Sequence, residues 1–393
     1  MIPDTLEQIG LLLLVAAVVA IVTRRLRLPY SVGLVVAGVL LAVSPLRLDL
    51  KLTRALIFDI FLPPIVFEAA LNLHWHDLRR NAPVIGLLAS GGVLVAMAIV
   101  AVAMHGLAGW SWAAAALFGA LIAATDPVSV IATFKHVHID PRLHLLVETE
   151  SLFNDGTAAV AFAVVTAVAA GTLGTPLAIG ELLLRMVAGG IAIGAVVGLA
   201  LLMLAGRTKD VLVELTLTTL IAYGSFLLAD RLGMSGVLAA LTAGLIVGNS
   251  GSLGAISDQS RASVENYWAY VAFLANSLIF LLIGAQMARR PFAEVAPVAA
   301  IAIVAVLAGR AVSIYATSAV FARTRLRVDW RHQHVLVWGG LRGALALGLA
   351  FGLPADLPGR GEIVTVAFAV VAFSIVVQGL TMTPLLRRLN LLG

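Results

Sequence analysis

The chain has 393 residues, 61% of them hydrophobic and 12% charged, with a mean hydropathy of +1.04. These values exclude a soluble globular domain and place the chain in a lipid bilayer. It contains no cysteine, which excludes disulfide and thiol chemistry. The net charge of +5 does not point to nucleic acid, because Lys and Arg stand at the ends of apolar segments instead of forming a run.

The N-terminal stretch Met1-Ile2-Pro3-Asp4-Thr5-Leu6-Glu7 carries acids and no Lys or Arg before the first apolar run, unlike a signal peptide, so the first segment is expected to remain as a helix. At about 20 residues per span, thirteen segments are expected: 6–22, 30–45, 52–73, 82–104, 112–133, 145–170, 177–205, 211–229, 235–249, 266–287, 295–321, 333–353 and 362–386. The second and ninth are short enough to be tilted or partly re-entrant. With the N-terminus outside, the inner connections hold Arg24, Arg25, Arg27, Arg79, Arg80, Lys135, Arg142, Arg207, Lys209, Arg261, Arg323, Arg325, Arg327, Arg331, Arg387 and Arg388. The outer ones hold Arg47, Lys51, Arg231, Arg289, Arg290 and Arg360. Sixteen against six predicts a multi-pass protein of the cell's inner membrane with its N-terminus outside and its C-terminus cytoplasmic.

Chemistry concentrates in segments five, six and twelve. Glu148-Thr149-Glu150-Ser151-Leu152-Phe153-Asn154-Asp155-Gly156-Thr157 puts three carboxylates into a membrane-spanning run, and Thr125-Asp126-Pro127 lies about one helix earlier. A charge in hydrocarbon costs several kcal/mol or more, so such acids mark ion pathways. Pro127 removes one intrahelical hydrogen bond and disfavours helical geometry at Asp126, which predicts a break there. Gly339-Gly340-Leu341-Arg342-Gly343 interrupts segment twelve in the same way. Unwound backbone at membrane depth must be buried in protein or line a cavity. If segments 1–6 and 8–13 are inverted repeats joined by the seventh, the two breaks fall at equivalent positions, the signature of a transporter's binding site.

A sodium ion needs several oxygen ligands. Asp126, Asp155, Ser151 and the carbonyl of Thr125 can supply them. Ser151 and Asp155, four apart, share a helix face, while Asn154 points about a hundred degrees away and is expected to tether the broken helix.

Thr125-Asp126-Pro127, the stretch from Glu150 to Thr157, Phe273 to Gly284, Gly339 to Ala344 and Val377-Gln378-Gly379-Leu380-Thr381 resemble the cation/proton antiporter-1 family of sodium/proton exchangers, in its prokaryotic NhaP-like branch. The resemblance implies an all-α membrane protein and a secondary transporter without cofactor, whose transported substrates are Na⁺ (or Li⁺) and H⁺. It implies a cation and proton site at Asp126, Asp155, Ser151 and Thr125, with Glu68 contributing, and an internal ion pair between Glu150 and Arg342 as structural support. It further implies a homodimer. Residues 1–81 and 171–290 would form the interface domain, and 82–170 and 291–393 the moving core. Asn154, where electrogenic relatives of the fold carry a second aspartate, implies one-for-one electroneutral exchange. No cytoplasmic regulatory tail is expected after the last helix.

Other readings stay open at this stage. K⁺ could replace Na⁺, and a cation channel would need a continuous pore. Gly233-Met234-Ser235-Gly236 spells the GxSG of intramembrane serine proteases, whose serine needs a histidine on a later helix; the late candidates, His332 and His334, belong to the opposite face. His74, His76, His136, His138, His144, His332 and His334 fall in inner loops or helix entrances and could sense or collect protons. Arg310 and Glu214 sit in apolar runs without a readable partner. Gly190, Gly194 and Gly198 form small-xxx-small patterns that mark close helix packing, against this chain or another.

Overall fold

A computed structural model describes residues 4–26, 28–44, 52–134, 139–250 and 258–391, and among them all regular structure is helical. Arg27, Arg47, Lys51, Lys135, His136 and His138 lie outside the described residues. The chain opens with α1 (Asp4–Leu26) and α2 (Tyr30–Val43), and a π-helical turn, Leu56–Phe61, leads into α3 (Leu62–Leu71). Next come α4 (Trp75–Leu87), a π turn at Leu88–Gly92 and α5 (Val93–Ala108), which together form one long rod. Helices α6 (Trp112–Ala123) and α7 (Val128–Phe134) flank a break, and α8 (Pro141–Ala169) and α9 (Pro176–Ala205) follow. The second half has α10 (Val211–Arg231), α11 (Gly236–Gly248), α12 (Asp258–Met287) and α13 (Phe292–Val320). It ends with α14 (Trp330–Trp338), α15 (Ala344–Phe351), α16 (Arg360–Phe373), a π turn at Ser374–Gln378 and α17 (Gly379–Arg388).

Local sequence explains where the helices start. The side chains of Asp140, Thr175, Asp210, Ser235 and Asp329 each accept a hydrogen bond from a backbone N–H of the following first turn, and proline follows Asp140 and Thr175 at the first helical position. Among the described residues, eight helical segments are long and apolar enough to cross a membrane, and α2, α6 and α11 are shorter apolar helices. The fourth segment begins at Trp75, seven residues before the apolar run expected at 82. Its first turns, Trp75-His76-Asp77-Leu78-Arg79-Arg80, are polar because a helix emerging from the membrane needs no apolar face there.

Two packing groups result. In one, α2 lies along α12, α11 lies between α3 and α9, and α10 leans on α9 and α11. In the other, α5 packs on α6 and α13, with α8 against α6 and α16 against α13. The glycine stripe of α9 is used inside the chain: a Cβ on Gly190 would lie 2.6 Å from the Ser235 carbonyl oxygen, and one on Gly198 3.4 Å from Ala243 Cα, so α9 and α11 meet backbone to backbone.

Candidate functional site

The two helix breaks meet. After α6 the chain turns extended at Ala124 (φ −57°, ψ 137°), and α7 restarts at Val128, where Asp126 Oδ1 accepts from the Val128 N–H at 2.9 Å. Between α14 and α15, Gly343 adopts φ −141°, ψ −146°. The Asp126 N–H donates to the Leu341 carbonyl at 2.7 Å, which joins one break to the other. A Cβ on Gly343 would lie 2.5 Å from Asp126 Cβ and 2.8 Å from its Cγ, so only glycine lets the second break press on the Asp126 carboxylate.

The freed helix ends are satisfied by specific groups, as buried backbone requires. Arg342 Nη1 donates to the Ala123 carbonyl at 2.6 Å and to that of Ala124 at 3.0 Å, placing a cation at the negative C-terminal end of α6. Its own N–H donates to Ser374 Oγ at 2.6 Å, at the start of the last π turn.

Helix α8 closes the site. Ser151 Oγ donates to the Thr125 carbonyl at 2.5 Å, and the Ser151 and Thr125 hydroxyls lie 2.9 Å apart. Asn154 Nδ2 reaches Thr125 Oγ1 at 3.2 Å and Glu150 Oε1 at 3.3 Å. Asn154 therefore meets the same residue as Ser151 despite its different helical angle, because the extended chain at 124–127 wraps the flank of α8. The Thr125 carbonyl, expected to be free, already accepts from Ser151 and has one lone pair left.

Exposure separates two classes of polar group. Thr125, Ser151, Asn154, Glu150 and Arg342 are buried at 1–3% exposure, whereas Asp126 and Asp155 are half-buried. Asp155 lies within Coulombic range of Asp126, Glu150 and Arg342. Its Oδ1 has no hydrogen-bond partner among the described residues.

A sequence model described as "Sodium/hydrogen exchanger, transmembrane" matches residues 11–388. The Na⁺/H⁺ antiporter ApNhaP of Aphanothece halophytica is 39% identical over 400 residues, covering 100% of this chain and 76% of that protein. The Na⁺/H⁺ antiporter NhaG of Bacillus atrophaeus is 38% identical over 392 residues, covering 96% of this chain and 74% of the other. The chain belongs to the sodium/hydrogen exchanger family. Its fold matches the sodium proton antiporter MjNhaP1 of Methanocaldococcus jannaschii with a TM-score of 0.79 at 20% identity, over 98% of this chain and 99% of that one. The exchanger is thus a multi-pass membrane transporter and not an enzyme, and Ser235 of the GxSG sequence serves as the cap of α11, accepting from the Leu238 N–H at 3.3 Å.

The buried ion pair of this exchanger differs from the expected one. Glu150 pairs with Arg310 of α13, not with Arg342: Arg310 Nη1 and Nη2 donate to Glu150 Oε1 and Oε2 at 2.6 and 2.7 Å. Arg310 Nε and Nη2 also donate to the Leu336 carbonyl near the end of α14 at 3.1 and 3.0 Å. Arg342 instead bonds the carbonyls of Ala123 and Ala124, which the break after α6 leaves without intrahelical partners. Gly340 makes room for this, since a Cβ there would lie 3.0 Å from Arg310 Cζ. The signal for Arg310 was present in the sequence: a guanidinium in an apolar run must find a buried acceptor. Glu68 lies on α3, outside the crossing, where its Oε1 accepts from Asn72 Nδ2 at 2.8 Å.

Proposed function

We propose that this exchanger carries Na⁺ against H⁺ by letting the two substrates compete for Asp155 and Asp126. One observation carries the reading: where two helix breaks cross, the two acids stay half-buried while the surrounding polar side chains are buried and, apart from Asn154 Oδ1 and Arg342 Nε, bonded to one another and to the backbone. The network fixes the backbone, and the carboxylates are left for exchangeable ligands. Asp155, Asp126, the Ser151 hydroxyl and the remaining Thr125 lone pair form an oxygen set suited to a hard monovalent cation. Glu68 stands in the other packing group and serves the site from across the domain boundary. The site has the same net charge whether it holds Na⁺ or H⁺ and can cross in either loaded state, whereas the empty site, one charge more negative, is held back by uncompensated desolvation.

The division into packing groups supports alternating access in which α4–α8 and α13–α17 form the moving core against α1–α3 and α9–α12. We further propose a homodimer built on α1–α3 and α9–α12, with the N-terminus outside and the C-terminus cytoplasmic as the distribution of Lys and Arg suggests. Asn154, spent on Thr125 and Glu150, adds no charge to the site, which supports one-for-one exchange. Proton flux in everted vesicles, with Na⁺, Li⁺ and K⁺ added in turn, tests the substrate. Na⁺ and Li⁺ should each collapse an imposed pH gradient, and a response to K⁺ alone would replace the reading by K⁺/H⁺ exchange. In vesicles clamped with valinomycin, the rate should be insensitive to voltage, which would otherwise contribute about 2.3 kcal/mol per charge per 100 mV.

A further inference from the structure

Helix α13 turns an apolar stripe outward. Val304, Ala308, Val312, Tyr315 and Ala319, three or four residues apart, share one face and are all exposed. On a membrane-spanning helix such a stripe meets acyl chains. It ends in an aromatic cluster: the Tyr315 ring lies 5.7 Å from that of His334, and the His334 ring 5.4 Å from that of Trp330, the first residue of α14. Trp330 is 57% exposed, as suits an amphipathic ring at headgroup depth. The Arg331 guanidinium stands 5.6 Å from the centre of the Trp330 ring, which orients its plane. Arg323 and Arg325 lie in the turn between α13 and α14, both exposed. Among the described residues, the side chains of these three arginines make no hydrogen bond or ion pair. The turn itself is tied down. Arg142 of α8 donates to the carbonyls of Leu326 and Arg327 at 2.8 and 2.9 Å, and the Leu326 N–H donates to Thr324 Oγ1 at 3.1 Å. The neighbouring acid, Asp329, is engaged as the cap of α14, where it accepts from the Arg331 N–H at 2.8 Å.

We propose that this face binds an anionic phospholipid, with its acyl chains along the α13 stripe and its phosphate held by Arg331, Arg323 and Arg325. In the orientation proposed above, the lipid belongs to the inner leaflet. Topology alone accounts for positive charge at an inner turn. It does not require that the turn be fixed by Arg142, nor that an exposed tryptophan beneath an arginine close off an outward apolar stripe. The order of the surface decides the class of ligand. Apolar stripe, aromatic ring and unpaired cations follow one another as acyl chain, glycerol and phosphate do in a lipid, and a soluble anion would leave the stripe and Trp330 without a partner. Several guanidiniums together hold an anionic headgroup where a single one is screened by salt. The bound lipid would link α13, which clamps Glu150 through Arg310, to α14, which leads into the second break.

The test uses the full chain purified in a neutral detergent, with phosphatidylglycerol, phosphatidylcholine or glycerol 3-phosphate added in turn while thermal unfolding is followed. Phosphatidylglycerol should raise the unfolding temperature in a saturable way, and the zwitterionic lipid and the free headgroup should not at the same concentration. The triple variant Arg323→Gln, Arg325→Gln, Arg331→Gln should need at least about tenfold more phosphatidylglycerol for half of the shift. Lysine at the same three positions should keep most of the response. Trp330→Ser, which leaves every charge in place, should weaken it. Equal responses to the two lipids would make the face ordinary bilayer contact, and a response to glycerol 3-phosphate would make it a soluble-anion site; either overturns the proposal. So does an unchanged phosphatidylglycerol response in the triple glutamine variant. Should that variant fail to insert, Trp330→Ser and cross-linking of the wild type with a photoactivatable phosphatidylglycerol carry the test. Labels should fall between residues 312 and 334, and labels confined elsewhere, or an unaltered response in Trp330→Ser, overturn it.

Discussion

Glu150 and Asp155 are carboxylates five residues apart on α8, and the bundle treats them in opposite ways. Glu150 is 1% exposed, clamped by both Nη atoms of Arg310 and touched by Asn154. Asp155 is half-buried and keeps an oxygen without a hydrogen-bond partner among the described residues. Both are carboxylic acids within one membrane-spanning run. On the proposed reading, what separates a structural charge from a transporting one is whether its lone pairs are already spent.

The largest contrast is expected from neutralising each acid in turn. Asp155→Asn should bring Na⁺-dependent proton flux down to background in protein that inserts and melts like the wild type, because no built interaction is lost. Half of the wild-type flux in correctly inserted protein would refute the assignment. Glu150→Gln should do the reverse and lower thermal stability more than it changes apparent cation affinity. It strands the Arg310 guanidinium, a loss of about 3–5 kcal/mol for one partner of a buried pair.

A double-mutant cycle sharpens the comparison further. Arg310→Gln should destabilise about as much as Glu150→Gln, and the double substitution should recover part of the loss because no charge is then left stranded. The parallel cycle with Arg342→Gln should show much weaker coupling, since Arg342 is hydrogen-bonded to the carbonyls of Ala123 and Ala124. Equal coupling in the two cycles would contradict the pairing. The smallest effect belongs to Ser151→Ala. Loss of its bond to the Thr125 carbonyl should cost about 1 kcal/mol and raise the Na⁺ half-saturation about fivefold, measured as flux at graded Na⁺.

Much of this was legible in the chain itself. Pro127 and the glycines at 339, 340 and 343 announce two breaks because their effects on the backbone are local. The acids announce themselves because a charge in an apolar run has few explanations. The partner of Glu150 was not legible. Arg310 is 160 residues away, and two arginines, 310 and 342, were both chemically eligible; the choice depends on which carbonyls the broken α6 leaves unsatisfied, a tertiary fact. Asn154 was expected to tether the broken helix, and its amide does bond Thr125 at the break, although its second bond, to Glu150, was not foreseen. The polar start of α4 escaped a hydropathy reading because nothing apolar is required of a helix outside the membrane.

The measurement that bears most directly on competition at Asp155 and Asp126 is calorimetric titration of the purified protein with Na⁺ in buffers of different ionisation enthalpy, which counts the protons released per ion bound. A carboxylate site that must lose its proton before the cation binds predicts release of about one proton per Na⁺, with apparent affinity weakening as pH falls, and no Na⁺ binding to Asp155→Asn. Na⁺ binding without proton release, or unchanged binding and release in Asp155→Asn, would contradict the account.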